Sequence, residues 1–507
     1  MKHGNRRLLV VSNRLPVSIS GEEGEKQVKP GAGGLVTAMN PIMKSSEGVW
    51  IGWPGCELSD EVKQLLSDYN LDGDFQVEGV KVTPEEERRY YRGFSNEALW
   101  PLFHDLLGHC NFEFDDWKVY SKINRRFAKK IVEVTQSGDF IWVHDYQLIM
   151  VAHYLRQMNI HQPLAFFLHT PFPSPDLIRR LPWKNEIIRG LLEYDLIGFQ
   201  TYRDRRNFLR GAKELMPELQ IRSRARYSDI RFGMRTIKVG HFPISIDFRE
   251  FNQHARTRDV AVEARKLDDM CHAESLMLGV DRLDYTKGIP DRLLAIERAL
   301  EKYPELIGKI SLLQLVVPSR SKLSSYRNLK ADLDSMVGRI NGRFSKFGWQ
   351  PIQYMYRAVS RTELLGFYRA CDIALITPLR DGMNLVCKEY CASSTDRNGV
   401  LILSEFAGAA DQMGKGAILV NPYNREETAD AICDAFYMDS RERRRRMKTL
   451  RAEVKRNDIF RWVDWFLTAF KSWQDESPMA SARPYDTLPR NVRISAQELY
   501  PLNRKGD

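Results

Sequence analysis

Long apolar runs are missing from this chain of 507 residues. The amino terminus, MKHGNRRLLVVSNRLPV, sets two arginines before an apolar stretch, but Ser12 and Asn13 interrupt it after four residues. That is too short for a secretory signal or a membrane span, so neither is expected. Cysteine is sparse and unpaired in pattern: Cys56, Cys110, Cys271, Cys371, Cys387, Cys391 and Cys433 are odd in number and lack the C-x-x-C spacing of zinc and redox motifs. They read as reduced, mostly buried thiols of a cytoplasmic protein. Internal repeats are lacking, as are the G-x-G-x-x-G and Walker signatures, which leaves the usual phosphate-loop folds without support.

What the chain does have is bulk and apolar content. Its length exceeds what one hydrophobic core organises, so two domains are expected. Hydrophobic residues make up 43% of it, with 24 Phe, 20 Tyr and 10 Trp, enough apolar surface to offset the ordering entropy of a folded chain. The net charge of +10 suits nucleic acid, an anionic membrane or phosphorylated substrates, and does not choose among them. The densest basic run, Arg441, Arg443 to Arg446 and Lys448, follows an apolar helical segment and reads as its solvated end rather than as a nucleic-acid patch.

Short apolar runs alternate with helix-length amphipathic segments, the pattern of an α/β chain with doubly wound parallel sheets. In the first half the runs are Leu8 to Ser12, Val49 to Trp53, Phe140 to His144, Ala165 to His169, Leu196 to Gln200 and Ile237 to His241. In the second they are Leu276 to Asp281, Ile310 to Val317, Ile352 to Tyr356, Ile373 to Thr377, Val400 to Ser404 and Ala417 to Val420. A boundary is expected in FPISIDF, Phe242 to Phe248, where Pro243 breaks the pattern. This divides the chain into residues 1–242 and 243–475, with the last helix crossing back to the first domain, and leaves 476–507 as an extended tail. Ligands then belong in the cleft between domains, at the carboxyl ends of the strands.

Several motifs sit at those ends. Arg14 follows the first strand, and Gly31, Gly33 and Gly34 open a helix whose free N–H groups suit a phosphate, though glycine turns are also commonly structural. In GVDRLDYTKGIPDR, Arg282 and Lys287 lie five residues apart, able to close on one diphosphate without a metal. The alternative is that they pair with Asp281 and Asp284 as surface ion pairs. In LITPLRDGMNLVCKEY, a strand leads into Arg380, Asp381, Gly382, Met383 and Asn384, then a helix carrying Glu389. Asp381 can accept sugar hydroxyls, Glu389 a ribose diol, and the loop amides can stabilise a leaving diphosphate. His144, Asp145, Tyr146, His169 and Arg320 follow other strands, and Tyr90, Tyr91 and Trp100 supply aromatic faces and hydroxyls, although each singly also fits a core role.

Together SNRLPV, GGLVTA, GFSNEALWPLFH, WVHDY, FFLHTPFPSP, VDRLDYTKGIP, GRINGRFS, TPLRDGMNLVCKEY and LSEFAGAA resemble, in order and spacing, the trehalose-6-phosphate synthases, over about Arg7 to Trp473. The resemblance implies two Rossmann-like domains in the GT-B arrangement and retaining transfer of glucose from a nucleotide sugar, UDP-glucose foremost, to glucose 6-phosphate. It implies acceptor binding by Arg14, Tyr91, Trp100, Asp145 and Arg320. It implies donor binding by Gly34, Arg282, Lys287, Asp381, Gly382, Met383, Asn384, Leu385 and Glu389, with Arg282, Lys287, Asp381 and His169 catalytic. It also implies no cofactor, no metal, no nucleic-acid or membrane partner, and a separate phosphatase acting on the product, while homo-oligomerisation stays open. Two departures are visible: Gln147, where many relatives have His, and Ser-Lys-Leu after Arg320, where several have Gly-Asp. The sister activity, glucosylglycerol-phosphate synthesis from glycerol 3-phosphate and ADP-glucose, is the nearest alternative, and a catalytically silent sugar-phosphate-binding regulator is an alternative of another class.

Overall fold

The computed structural model describes residues 7–476 except 22–23, 32–33, 74 and 321–322. Gly33 and the expected tail beyond Glu476 therefore lie outside the described residues; Glu476 itself ends the last helix, Ile459–Glu476. The strands in chain order are β1 (Leu8–Arg14), β2 (Val17–Ser20), β3 (Gln27–Pro30), β4 (Val49–Trp53), β5 (Gln76–Gly79), β6 (Phe140–His144), β7 (Leu164–Phe167), β8 (Leu196–Phe199) and β9 (Gln220–Ser223). They continue as β10 (Tyr227–Phe232), β11 (Arg235–His241), β12 (Ser275–Arg282), β13 (Ile310–Val317), β14 (Ile352–Tyr356), β15 (Ile373–Ile376), β16 (Val400–Ser404) and β17 (Ile418–Val420).

Two sheets result. The first runs β5-β4-β1-β6-β7-β8-β11-β10-β9 and the second β14-β13-β12-β15-β16-β17. The second is parallel throughout; the first is parallel from β5 to β11 and ends in the antiparallel β11-β10-β9. The central strands read as unbroken apolar runs because helices cover both faces of a parallel sheet. In each sheet the order reverses beside the first strand, between β1 and β6 and between β12 and β15. These reversals open a crevice at the carboxyl ends of the strands, where ligands bind in such sheets.

The connection Phe242–Asp247 is pinned from both sides. Phe242 N–H donates to Phe199 O at 2.7 Å, while Lys388 of the second half donates its ammonium to Ile244 O at 2.7 Å. Helix Ile459–Glu476 lies on the first sheet: Phe466 stacks on Trp142 with centroids 4.1 Å apart, Phe470 stacks on Phe140 at 3.8 Å, and Trp462 Nε1 donates to Phe242 O at 3.1 Å.

The basic run is not the end of the preceding helix, as the sequence had implied. That helix stops at Tyr437, and the run begins a new one, Ser440–Arg456, whose first N–H groups donate to Asp439. Glu442 holds Arg445 and Arg446, and the guanidinium of Arg443 is turned inward onto the carbonyls of Ala435 and Met438. Cations at a helix start oppose its dipole, so these carboxylates offset that cost. Among the described residues no helix is long and apolar enough to cross a membrane.

Candidate active site

The two crevices face each other, and the side chains in the space between them come mostly from the strands beside each reversal. Arg14 ends β1, Asp145 follows β6 and His169 follows β7; Arg282 ends β12, Arg320 follows β13 and Asp381 follows β15. Tyr91 and Trp100 arrive differently, from a π-helical stretch, Glu87–Leu99, and the short helix Trp100–Phe103 after it. Wide helical turns of this kind recur at functional sites because they re-aim side chains.

On the second sheet, the Lys287 ammonium donates to Asp381 Oδ2 at 2.6 Å, and Asn384 Nδ2 donates to the same oxygen at 3.2 Å. Burial alone would raise the Asp381 carboxyl, but the adjacent Lys287 charge and its hydrogen bond hold it below the usual range. The pair straddles the β12/β15 reversal. The glycine between Lys287 and the following helix, Gly288, takes φ +61°, a conformation that costs a side-chain-bearing residue.

The other members of the β12 turn are arranged unlike surface ion pairs. Asp281 is taken by Arg292 at 2.5 Å, a buried pair also bonded to Gln314 and Thr377. Asp284 accepts from Arg320 at 3.1 Å and from the Tyr326 hydroxyl at 3.2 Å. Arg282 is exposed and, among the described residues, its side chain has no hydrogen bond or ion pair. Asp284 and Tyr326 thus position Arg320, a role that spacing along the chain does not reveal.

The loop 381–384 is built on backbone. Asp381 N–H donates to Phe406 O, Gly408 N–H to Asp381 O, and Ala409 N–H to Met383 O. Gly382 presses on the other half of the protein: a Cβ there would lie 2.2 Å from the His169 carbonyl oxygen. Asn384 has φ +77° and its side-chain oxygen accepts from Cys387 N–H, which starts the helix Val386–Ser393. Leu385 is half-buried at that helix's edge. Glu389, on the same helix, accepts from the Tyr368 hydroxyl at 2.8 Å, and burial raises its carboxyl.

From the first sheet, Asp145 (φ +75°) accepts from His169 N–H at 3.1 Å, and burial, partly offset by such N–H donors, raises its carboxyl to about 6. His169 Nε2 and His144 Nδ1 are 3.2 Å apart, and burial lowers the His169 imidazole to about 3. Both rings are therefore neutral near pH 7. The Arg320 guanidinium (φ +47°) lies 4.2 Å from the Trp100 ring centroid, a cation–π contact across the cleft. Trp100 lies 5.6 Å from Tyr146, whose hydroxyl donates to Asn96, and Asn96 in turn donates to Tyr91 O. Arg14 sits over Trp53 at 4.6 Å, and Trp53 is 6.2 Å from Tyr91. Gly34 opens the helix Gly34–Ser45, directly after residues that are not described.

His104 is an addition that the sequence reading missed. It is buried against Trp100, its imidazole lowered to about 4 by burial, and it feels the charges of Asp284, Asp381 and Lys287. Its only sequence signal is its place at the end of WPLFH.

The comparisons agree with one another. The profile of glycosyltransferase family 20 matches residues 6–472. The trehalose-6-phosphate synthase of Mycolicibacterium gilvum is 41% identical over 476 residues, covering 92% of this chain and 93% of that protein. The crystal structure of an alpha,alpha-trehalose-phosphate synthase (UDP-forming) from Burkholderia xenovorans in complex with glucose-6-phosphate is similar at 32% identity and a TM-score of 0.82, covering 92% of this chain and 100% of that one. A trehalose-6-phosphate structure from E. coli bound with UDP-2-fluoro glucose is similar at 34% identity and a TM-score of 0.81, covering 92% and 99%.

Proposed function

The chain belongs to glycosyltransferase family 20, and from that premise we propose that it transfers glucose from UDP-glucose to glucose 6-phosphate with retention, forming α,α-trehalose 6-phosphate. The observation that carries this reading is the meeting of two cationic side chains over one space: Lys287, paired with Asp381, and Arg320, which reaches Trp100 across the cleft. A relative's complex with glucose-6-phosphate and another's with UDP-2-fluoro glucose support the two ligand classes.

The donor belongs to residues 243–475 and the acceptor mainly to 1–242, with Arg320 reaching across. Arg282 and Lys287 hold the diphosphate, one as a fork and one as a point charge. The amides of Met383, Asn384 and Leu385 add N–H donors at the start of a helix, and Glu389 takes the ribose diol. Asp381, kept ionised by Lys287, accepts hydroxyls of the glucose, with His169 opposite. Arg14, Tyr91 and Arg320 gather the acceptor phosphate, while Asp145 and Trp100 orient its sugar.

Transfer is a front-side substitution. The bond between the glucose anomeric carbon and the diphosphate oxygen breaks, and the acceptor hydroxyl oxygen bonds to that carbon on the same face. Its proton passes to the departing phosphate oxygen. Charge growing on the diphosphate is stabilised by Arg282, Lys287 and the loop amides, so no enzyme nucleophile is required.

Product formation tests the reading. UDP-, ADP- and GDP-glucose are each paired with glucose 6-phosphate and glycerol 3-phosphate, and products are identified by mass spectrometry. Trehalose 6-phosphate from UDP-glucose and glucose 6-phosphate is expected. Product from glycerol 3-phosphate alone would overturn the acceptor, and none from any pair would favour a sugar-phosphate-binding regulator. Stereochemistry read by NMR tests retention.

A further inference from the structure

Away from the catalytic cleft, the helix Tyr202–Leu215 and the strand β9 flank an open cavity of about 620 Å³. Arg205 lines it. This residue is 3% exposed, and its Nε and Nη1 are buried without a hydrogen-bond partner. A guanidinium out of water with unmet donors is costly, and buried cations are ordinarily paired.

The surroundings point to what is meant to pair with it. Arg206 and Arg210, four residues apart on the helix, are exposed on the same cavity, and neither has an ion pair among the described residues. The neighbouring cations are already engaged: Lys213 donates to Pro217 O and Leu219 O, and Arg224 lies 3.5 Å from Asp229. The one carboxylate lining the cavity, Glu214, faces Arg179 at 3.9 Å. Tyr202 adds an aromatic face, 5.0 Å from the Arg205 guanidinium, and Ile221 an apolar wall. The two exposed guanidinium groups of Arg206 and Arg210, with Arg205 held in the wall beside Tyr202, border an open space of small-molecule size and match a phosphate group, which takes forked N–H donors, together with an organic body that lies on a ring.

We propose that this cavity binds a phosphate-bearing small molecule at a site separate from the catalytic cleft. The inference does not depend on the identity of donor or acceptor. A nucleic acid would require cations strung along an open surface, whereas here the deciding cation is buried. The first turn of the same helix also faces the catalytic loop, for Asp204 lies 3.9 Å from Arg380, next to Asp381.

Hydrogen–deuterium exchange of the whole chain, with inorganic pyrophosphate and with AMP as separate probes, tests this. Either probe should slow exchange in peptides spanning 202–225 of the wild type. In R206E/R210E, whose changes are on exposed positions, the apparent affinity read from that protection should fall about tenfold or more. Protection by pyrophosphate alone marks a simple anion as ligand, and protection by AMP marks an organic phosphate. Absence of protection with both probes, or protection that survives in the variant, overturns the proposal, as does protection only by single-stranded DNA or by anionic vesicles. Arg205→Met separates ligand binding from packing: loss of protection with an unchanged or raised melting temperature is expected, and a lowered melting temperature with protection retained overturns the role of Arg205.

Discussion

The guanidinium of Arg320, on the second sheet, lies 4.2 Å from the ring centroid of Trp100, which belongs to the first. Asp284 and Tyr326 hold it from behind, so a single side chain answers both to its own half and to the opposite wall of the cleft. Its removal should have two separable effects.

Arg320→Ala is expected to weaken use of the sugar-phosphate acceptor, raising its KM more than that of the donor. It should also destabilise the fold by about 3–5 kcal/mol, because the buried Asp284 carboxylate loses its cationic partner. Adding Asp284→Asn should restore much of the melting temperature without restoring acceptor use. Recovery of both would mean that Arg320 serves the fold alone.

Lys287→Ala and Arg282→Ala are expected to lower kcat/KM by about 10²- to 10³-fold each, the scale of losing one donor to a developing anion. They should part company in denaturation. Arg282 is exposed and without an ion pair among the described residues, so its loss should shift stability by no more than about 0.5 kcal/mol. Lys287→Ala should be visibly destabilising, since Asp381 loses its partner. Steady-state kinetics beside urea titrations give both readings.

Gly382→Ala puts a methyl group 2.2 Å from the His169 carbonyl oxygen, closer than any packing permits. The loop or the β7 end has to move, at a cost of about 1–3 kcal/mol in stability. A displacement on the 1 Å scale should cost turnover about 10²-fold. Unchanged kinetics would show that the two halves do not need this contact during catalysis.

Acid sensitivity should carry the mark of His169. Its imidazole is lowered by burial to about 3, so it is neutral in the fold while the unfolded chain binds a proton below about 6.5. Between those values the unfolded state holds more protons, and stability falls as the pH drops, by at most about 1.4 kcal/mol per pH unit from this group. Asp145 acts oppositely: its carboxyl, raised to about 6, adds stability below the unfolded value that is lost as pH rises through 6. His169→Asn should therefore flatten the acid limb of a melting-temperature profile, and Asp145→Asn should steepen it in the range from about 4 to 6. A profile unaltered by either change would remove both groups from the account.

The twelve apolar runs of the sequence all correspond to strands, because strands buried on both faces cannot hide their composition. What escaped were β2, β3, β5, β9 and β10, short or alternating strands at or next to a sheet edge or in a separate hairpin, where polar residues such as those of QIRS leave no run to see. The residues at strand ends were legible for a related reason, since a polar group directly after a buried run has few places to go. Their partners were not. Asp284 and Tyr326 meet across 42 positions, and the positive φ angles of Asp145, Arg320 and Asn384 are imposed by the fold on residue types that do not announce them. The π-helical turn that aims Tyr91 is equally silent in composition.

The crossing helix Ile459–Glu476 has a consequence in time. The strands of the first sheet are complete when residue 241 has been made, yet the rings that cover Phe140 and Trp142 belong to residues 466 and 470. At about 5–20 residues per second, the ribosome needs roughly ten to fifty seconds to synthesise the intervening chain. Through that interval a band of aromatic surface waits uncovered on an otherwise assembled sheet, a surface for chaperones to hold, and the first half is not finished until translation has passed residue 470.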